Sequence, residues 1–420
     1  MHFLLKVAWR NIWRQKRRSL ITAAAMAVAV GLCMAIIAIN DGSIQMMFEL
    51  MVEQQTGHVQ VHHRDYPSSR EMFDTLPKGQ QVLDHVAELP QTRAAGGRLK
   101  AFGLAGGAEK STGVQLVGID PERERSLTPL HERIKDGDFL STEPSHQVLL
   151  GVGLAKELSL GVGDELVVIT QAADGSMGND LYQVAGLYRS GSVLMDRGGL
   201  YMHLEDLQEL LVMPGQIHEV ILLAHDDKDL AAYTEAVQNA LVASELMSVS
   251  DEDLTEVIPW WVASPTTDEM LKMTDASSGF ILGIVFLVSG FGILNTMLMS
   301  VFERTRELGV LRALGLRRSR LIIMIVFESV FLAGLAAVAG AVLGGALDLY
   351  LITYGLDFSG SMEEGFSFSG IVFDPVFKGK VRAKGIVMTL GALFTIAVLA
   401  SLWPAWRAAG LRPADAIHED

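Results

Sequence analysis

Four long apolar stretches punctuate this sequence, and the polar positions between them fall into very unequal groups. Leu20–Ile39 runs without a charge for a length that, as a helix, spans about 30 Å and matches the hydrocarbon core of a bilayer. It is too long for a signal-peptide core and lacks a small-residue cleavage site, so a retained anchor is expected. Ala276–Phe302, Leu321–Leu347 and Gly385–Trp403 repeat the pattern. The hydropathy predicts transmembrane helices over 20–40, 276–302, 321–347 and 385–403, with Pro404 helping to end the last. Ahead of the first, residues 2–18 set Phe3, Val7, Trp9, Ile12 and Trp13 among basic residues, the pattern of an amphipathic helix lying on the membrane surface.

The segment 41–275 has a different periodicity. HVQVHH (58–63) alternates as a strand does, and QQVLDHVAEL (80–89) has helical spacing. VQLVGID (114–120), DELVVIT (164–170), YQVAGLYRSG and EVILLAH read as strands. GLAKEL, the end of GLYMHLEDLQELL and DKDLAAYTEAVQNALVASEL read as helices. Residues 41–55 and 251–275 are expected to be helical stalks joining this region to the spans. The predicted fold is a membrane protein of four transmembrane α-helices with a large extracytoplasmic α+β domain between the first and second. A shorter extracytoplasmic loop, 348–384, separates the third span from the fourth.

Charge fixes the expected direction. The formal net charge is −15, yet residues 1–19 hold six Lys/Arg and no acid, and 303–320 holds six Arg against two Glu. Residues 41–275 hold sixteen Lys/Arg against thirty-eight Asp/Glu. The positive-inside rule therefore puts the N-terminus, the 303–320 loop and the 404–420 tail in the cytoplasm. No nucleic-acid partner is suggested. The single cysteine, Cys33, sits in an apolar run and reads as a packing residue, so the acidic region must be stable through its own core.

Candidate chemistry is concentrated in the loop ERTRELGVLRALGLRRSR (303–320). Leu308, Leu311 and Leu314, with Val310 beside them, share one face of a helix. Glu303/Arg306 and Arg304/Glu307 stand three apart and can support each other, and Gly315 suits the position that closes the helix. An ordered polar-and-apolar helix suits docking to another protein, whereas an ordinary positive-inside loop needs arginines but no leucine face. Glu328, two turns into the third span, is an intramembrane carboxylate; snorkelling or pairing with an arginine of the preceding loop is favoured over proton chemistry. Gly340 and Gly344 form a G-x-x-x-G spacing that permits close helix packing. His58 and His62 share a strand face with His63 opposite, so no metal site is expected. No Walker A loop, G-x-S-x-G or H-E-x-x-H occurs.

The topology, ERTRELGVLRALGLRRSRL, and the closing PAWRAAGLRPADAIHED together resemble the FtsX/MacB-type ABC transporter permeases. VGIDPERE, VLLGVGLAKELSLGVGDELVVIT and LYRSGSVLMDRGGLYMHLEDLQELL are similar to their external domain, and the match is closest to the LolC/LolE lipoprotein-releasing permeases. The resemblance implies a permease dimer, homo- or heteromeric, with two copies of a cytoplasmic ABC ATPase subunit that binds the ATP and magnesium. This chain itself would bind no cofactor and catalyse no reaction. Glu303, Arg304, Arg306, Glu307, Leu308, Leu311, Arg312, Leu314 and Gly315 match the coupling helix that meets the ATPase. A bacterial inner-membrane location follows, with the large domain in the periplasm, a periplasmic chaperone or adaptor as a further partner, and an inserted second part of that domain over about 140–215.

Four functions compete. The first is release of lipoproteins from the inner membrane toward the outer membrane. A MacB-type tripartite efflux or export pump is the second; MacB carries a fused ATPase ahead of its first span, which this sequence does not show. An FtsX-type activator of cell-wall hydrolases comes third, because such external domains are usually smaller. A membrane-anchored enzyme comes last, for want of a catalytic constellation.

Overall fold

The computed structural model describes the chain except residues 1, 15, 70, 108–109, 249–253, 358–365, 369–370, 374–375 and 411–420. Most of the expected tail and about a third of the 348–384 loop therefore lie outside the described residues. Contacts divide the chain into two units. One comprises residues 1–45, 272–361 and 376–420; the other comprises residues 46–271 and 362–375.

The first unit is helical. Four of the described helices are long and apolar enough to cross a membrane: Lys16–Phe48, Leu282–Glu303 within the longer Pro265–Glu303, Arg318–Thr353 and Ala383–Gly410. They meet in an apolar core that takes Val30 and Met34 from the first, Phe286 and Ile293 from the second, Leu332 and Ala336 from the third, and Leu393 and Ala397 from the fourth. Cys33 is buried in the same core. Gly340 and Gly344 pack on Gly31: a Cβ on Gly340 would lie 2.7 Å from Val30 Cβ, and one on Gly344 would lie 2.7 Å from Met34 Sδ and 3.2 Å from Gly31 Cα. Small residues here let two helix backbones touch.

Pro404 does not end the fourth helix, which continues to Gly410. The missing proline N–H forfeits one backbone hydrogen bond. Burial of Ala405, Ala408 and Ala409 against Val301, Leu308 and Leu321 holds the next turn in place regardless. The N-terminal helix His2–Arg14 buries Ala8 and Ile12 and leaves Trp9 and Trp13 half exposed, with the Trp9 ring edge-on to Phe331 at 5.6 Å.

The second unit is built on a ten-stranded mixed sheet: β1 (Val59–His63), β2 (Thr92–Gly106), β3 (Ser111–Ile119), β4 (Ile134–Gly137), β5 (Gln147–Gly151), β6 (Glu165–Gln171), β7 (Met177–Tyr188), β8 (Gly199–His203), β9 (Glu219–Ala224) and β10 (Thr255–Pro259). The order is β10-β1-β9-β2-β3-β8-β5-β7-β4, with β6 bridging β2 and β7. Only the β3–β8 and β5–β7 pairs are parallel. Alternation along the strands decides the faces. Val59, Val61, Leu99, Val220 and Leu222 point into a core with Val82, Leu83, Val86, Tyr233 and Val237 of helices Gly79–Ala87 and Leu230–Ala243.

One expectation needs correction, and one strand was not anticipated. The segment before the second long helix is not one helical stalk, because Thr255–Pro259 is a sheet strand beside β1. And β2, fifteen residues of mostly glycine and alanine, is the longest strand although no period announced it. Its small residues are explained by neighbours: a Cβ on Gly97 would meet Ile217 at 2.9 Å, and one on Gly103 would meet the Ile169 carbonyl at 2.7 Å.

Candidate functional site

The charged segment after the second long helix forms a short helix of its own, Thr305–Ala313. Glu303 is the last residue of the preceding helix, and Arg304 breaks the run with non-helical backbone angles. The break has a cause. Arg304, 13% exposed, turns inward, where its Nη1 donates to both carboxylate oxygens of Glu328 at 3.3 and 3.2 Å and its Nε to Glu307 at 3.3 Å. Glu328 is 10% exposed, so the intramembrane carboxylate is neutralised by an arginine of the preceding segment.

The far end is also fixed. Gly315 has φ +93°, its N–H donates to the Arg312 carbonyl, and the Leu316 N–H reaches back to the Leu311 carbonyl at 3.1 Å. This paired arrangement closes a helix through a left-handed residue. Arg312 donates from Nη1 to the carbonyl of Ala409 in the last helix.

The leucines do not share an outward face. Leu308 is buried with Val301, Leu321 and Ile325, and Leu311 packs against the same cluster. The exposed stripe is instead Arg306, Val310, Ala313 and Leu314, with Val310 42% and Leu314 80% exposed. Helical spacing revealed an apolar helix but could not say which apolar positions this chain would keep for itself. Arg306 alone of the three charged residues Arg304, Arg306 and Arg312 takes part in no described ion pair or side-chain hydrogen bond, and it faces outward.

Sequence reasoning missed the network around Arg304. Arg18 at the start of the first long helix pairs with Glu303 at 2.8 Å and donates to the Thr296 carbonyl, and Arg14 pairs with Glu307 at 2.6 Å. Together with Glu328 these groups line a polar cavity of about 150 Å³. Opposite charges at the matching ends of successive spans were the available signal. Among the described residues no group of three potential metal ligands exists, and His58, His62 and His63 are separately buried in or beside β1.

Two family models match this architecture. The FtsX-like permease C-terminal model matches residues 279–413, and the MacB-like periplasmic core domain model matches residues 19–240. The chain belongs to the MacB/FtsX family of ABC transporter permeases. As a MacB/FtsX permease it is similar to the lipoprotein-releasing system transmembrane protein LolC of Xylella fastidiosa, with 24% identity over 98% of both chains. The LolE protein of Haemophilus influenzae is 21% identical over 98% of both. The pyoverdine export ATP-binding/permease protein PvdT of Pseudomonas entomophila is 25% identical over 81% of this chain and 51% of its own length. The MacB/FtsX membership accounts for the four spans and for the mixed-sheet domain between the first and second.

Proposed function

We propose that the helix Thr305–Ala313 is the element through which a cytoplasmic ABC ATPase drives this permease, and that the transporter releases lipoproteins from the inner membrane. The observation that carries the first half is the stripe Arg306–Val310–Ala313–Leu314, left outward while both helix ends are tied into the permease by Arg304–Glu328 and Arg312–Ala409. In this reading the termini are cytoplasmic, the sheet domain is periplasmic, and two ATPase copies, holding the ATP and magnesium, serve a homo- or heterodimer of permeases. This chain has no catalytic part. A helix anchored at both ends moves with the spans rather than rotating alone, so displacement at the ATPase reaches the third and fourth helices directly.

Burying Leu314 against a partner would contribute about 2 kcal/mol, a ~30-fold change in affinity. Leu314→Asp and Val310→Asp in the assembled complex are therefore expected to lower substrate-stimulated ATP hydrolysis at least tenfold without changing the thermal stability of the permease. Unchanged hydrolysis and normal assembly would remove the assignment. Lipoprotein release is supported by full-length similarity to LolC and LolE. Depletion should strand outer-membrane lipoproteins in the inner membrane; correct sorting after depletion would overturn it. Export of a small molecule is the second reading, favoured by similarity to PvdT, and co-purification of an adaptor and an outer-membrane channel would select it.

A further inference from the structure

The N-terminal helix His2–Arg14 divides its surface into three sectors. One residue along an α-helix turns the side chain by about 100°. Ala8 and Ile12 are buried against the spans, and one step on Trp9 and Trp13 are each 42% exposed. A further step brings Arg10 and Arg14 to the side facing away from the buried pair. Lys6, one turn before Arg10, is exposed on that same side. The two indoles meet edge to face at 6.0 Å, a single aromatic patch between the buried and the basic sectors.

Charge separates the cations of this region into two groups. Arg14 and Arg18 are spent on Glu307 and Glu303 at 2.6 and 2.8 Å. Lys6, Arg10, Lys16 and Arg17 are exposed and take part in no described ion pair or side-chain hydrogen bond. No Asp or Glu precedes Asp41 in the sequence, so nothing nearby in the chain offsets them. A helix partnered by protein alone needs one buried and one solvated face. A helix held at a membrane interface meets three media: the spans, the glycerol region where tryptophan is favoured, and the headgroups that attract lysine and arginine. Trp9 fixes the level, edge-on to Phe331 about 20 Å along the third long helix from Arg318.

We propose that this helix and the start of the next form a binding surface for anionic phospholipid. Phosphate-bearing headgroups are met by Lys6, Arg10, Lys16 and Arg17, and the glycerol region lies against Trp9 and Trp13. The partner is a lipid rather than an acidic protein, because the aromatic sector stands between the cations and the buried side of the helix, the order in which a bilayer presents its layers. Lipid binding here does not depend on what docks at the helix Thr305–Ala313.

The test measures lipid binding to the purified, delipidated full chain in non-ionic detergent by native mass spectrometry. The probes are phosphatidylglycerol and phosphatidylcholine with the same acyl chains. Phosphatidylglycerol is expected to bind at least about tenfold more tightly at low salt, and high salt should largely erase the preference by screening exposed charges. The quadruple variant Lys6→Gln, Arg10→Gln, Lys16→Gln, Arg17→Gln should lose the preference at unchanged thermal stability, whereas Lys6→Arg with Lys16→Arg should keep it. Trp13→Ala should weaken both lipids and leave their ratio unaltered. The triple variant Arg317→Gln, Arg318→Gln, Arg320→Gln removes exposed cations about 20 Å away, beyond a Debye length, and should not change the ratio. The salt dependence of the unsubstituted chain decides the matter if the quadruple variant fails to insert. Equal binding of the two lipids by the unsubstituted chain, a preference that survives high salt or the quadruple variant, or an equal loss in the triple variant would each overturn the proposal.

Discussion

The contact between Arg304 and Glu328 invites a double-mutant cycle. Both side chains are about nine-tenths buried, and their separations of 3.2 and 3.3 Å are longer than the 2.7–2.9 Å of a strong charge-assisted bond. Breaking a buried pair costs roughly 3–5 kcal/mol, and the long geometry argues for the low end. The cost should be asymmetric. Arg304→Gln strands the Glu328 carboxylate, so about 3 kcal/mol is expected. Glu328→Gln leaves Arg304 its 3.3 Å contact with Glu307, so about 1.5 kcal/mol is expected. With both changed, an amide pair replaces the ions, and the total should be near 2.5 kcal/mol rather than the sum, a coupling of about 2 kcal/mol. Reversible unfolding of the full chain in mixed micelles with increasing SDS reads these differences. A cycle that is additive to within about 0.5 kcal/mol, or a costlier Glu328→Gln, would refute the pairing argument.

Other consequences are separable. Gly344→Leu should lower the SDS midpoint by the equivalent of about 1–3 kcal/mol through collision with Met34 and Gly31; Gly345→Leu, with open space at its Cβ, should be neutral or stabilising, and equal effects would contradict the packing assignment. Gly315→Ala meets no neighbour but must adopt φ +93°, so a loss of about 1 kcal/mol is expected from backbone strain alone, and an unchanged midpoint would count against the left-handed closure. His218 is held neutral, its Nε2–H donating to the Met72 carbonyl and its Nδ1 accepting from the Lys100 N–H at 3.0 Å, and burial lowers its pKa. The unfolded state therefore binds the proton first: stability present above about pH 6.5 should fall as pH drops below it, by up to ~1.4 kcal/mol per pH unit. Melting curves between pH 5 and 8 should lose that part of their slope in His218→Asn, and an unaltered slope would assign the titration elsewhere.

Much of this architecture was legible because hydrophobicity speaks plainly in spans and in alternating strands. Val59–His63 and Glu219–Ala224 announced themselves by period, whereas the short helix Pro121–Leu127, capped by Asp120 accepting from the Glu122 N–H, went unread. β2 was silent because glycine and alanine carry no pattern; its identity comes from Ile217, Leu127 and Ile169 crowding its backbone. Pro404 misled because local stereochemistry opposes a helix that packing sustains. The helix Thr305–Ala313 shows the limit most clearly. One helical period contained both Leu308, kept inside, and Leu314, left outside, and only the neighbouring helices decide between them.

The position of β1 has a consequence for how the chain comes into being. Val59, among the first residues of the sheet domain, pairs with Pro259, among the last, and the same strand pairs with β9 through Val59 and Leu222. Loop closure over such separations is slow, and little local contact is available to nucleate it. Completion of this region therefore waits until synthesis has passed Pro259, just before the second long helix begins at Pro265. Until then β1 exposes Val59 and Val61 and an unpaired backbone to any other nascent strand. The order of strands thus makes biogenesis of the domain and arrival of the second span nearly simultaneous events, and a chain truncated between β9 and β10 should be a substrate for quality-control proteases rather than a smaller folded domain.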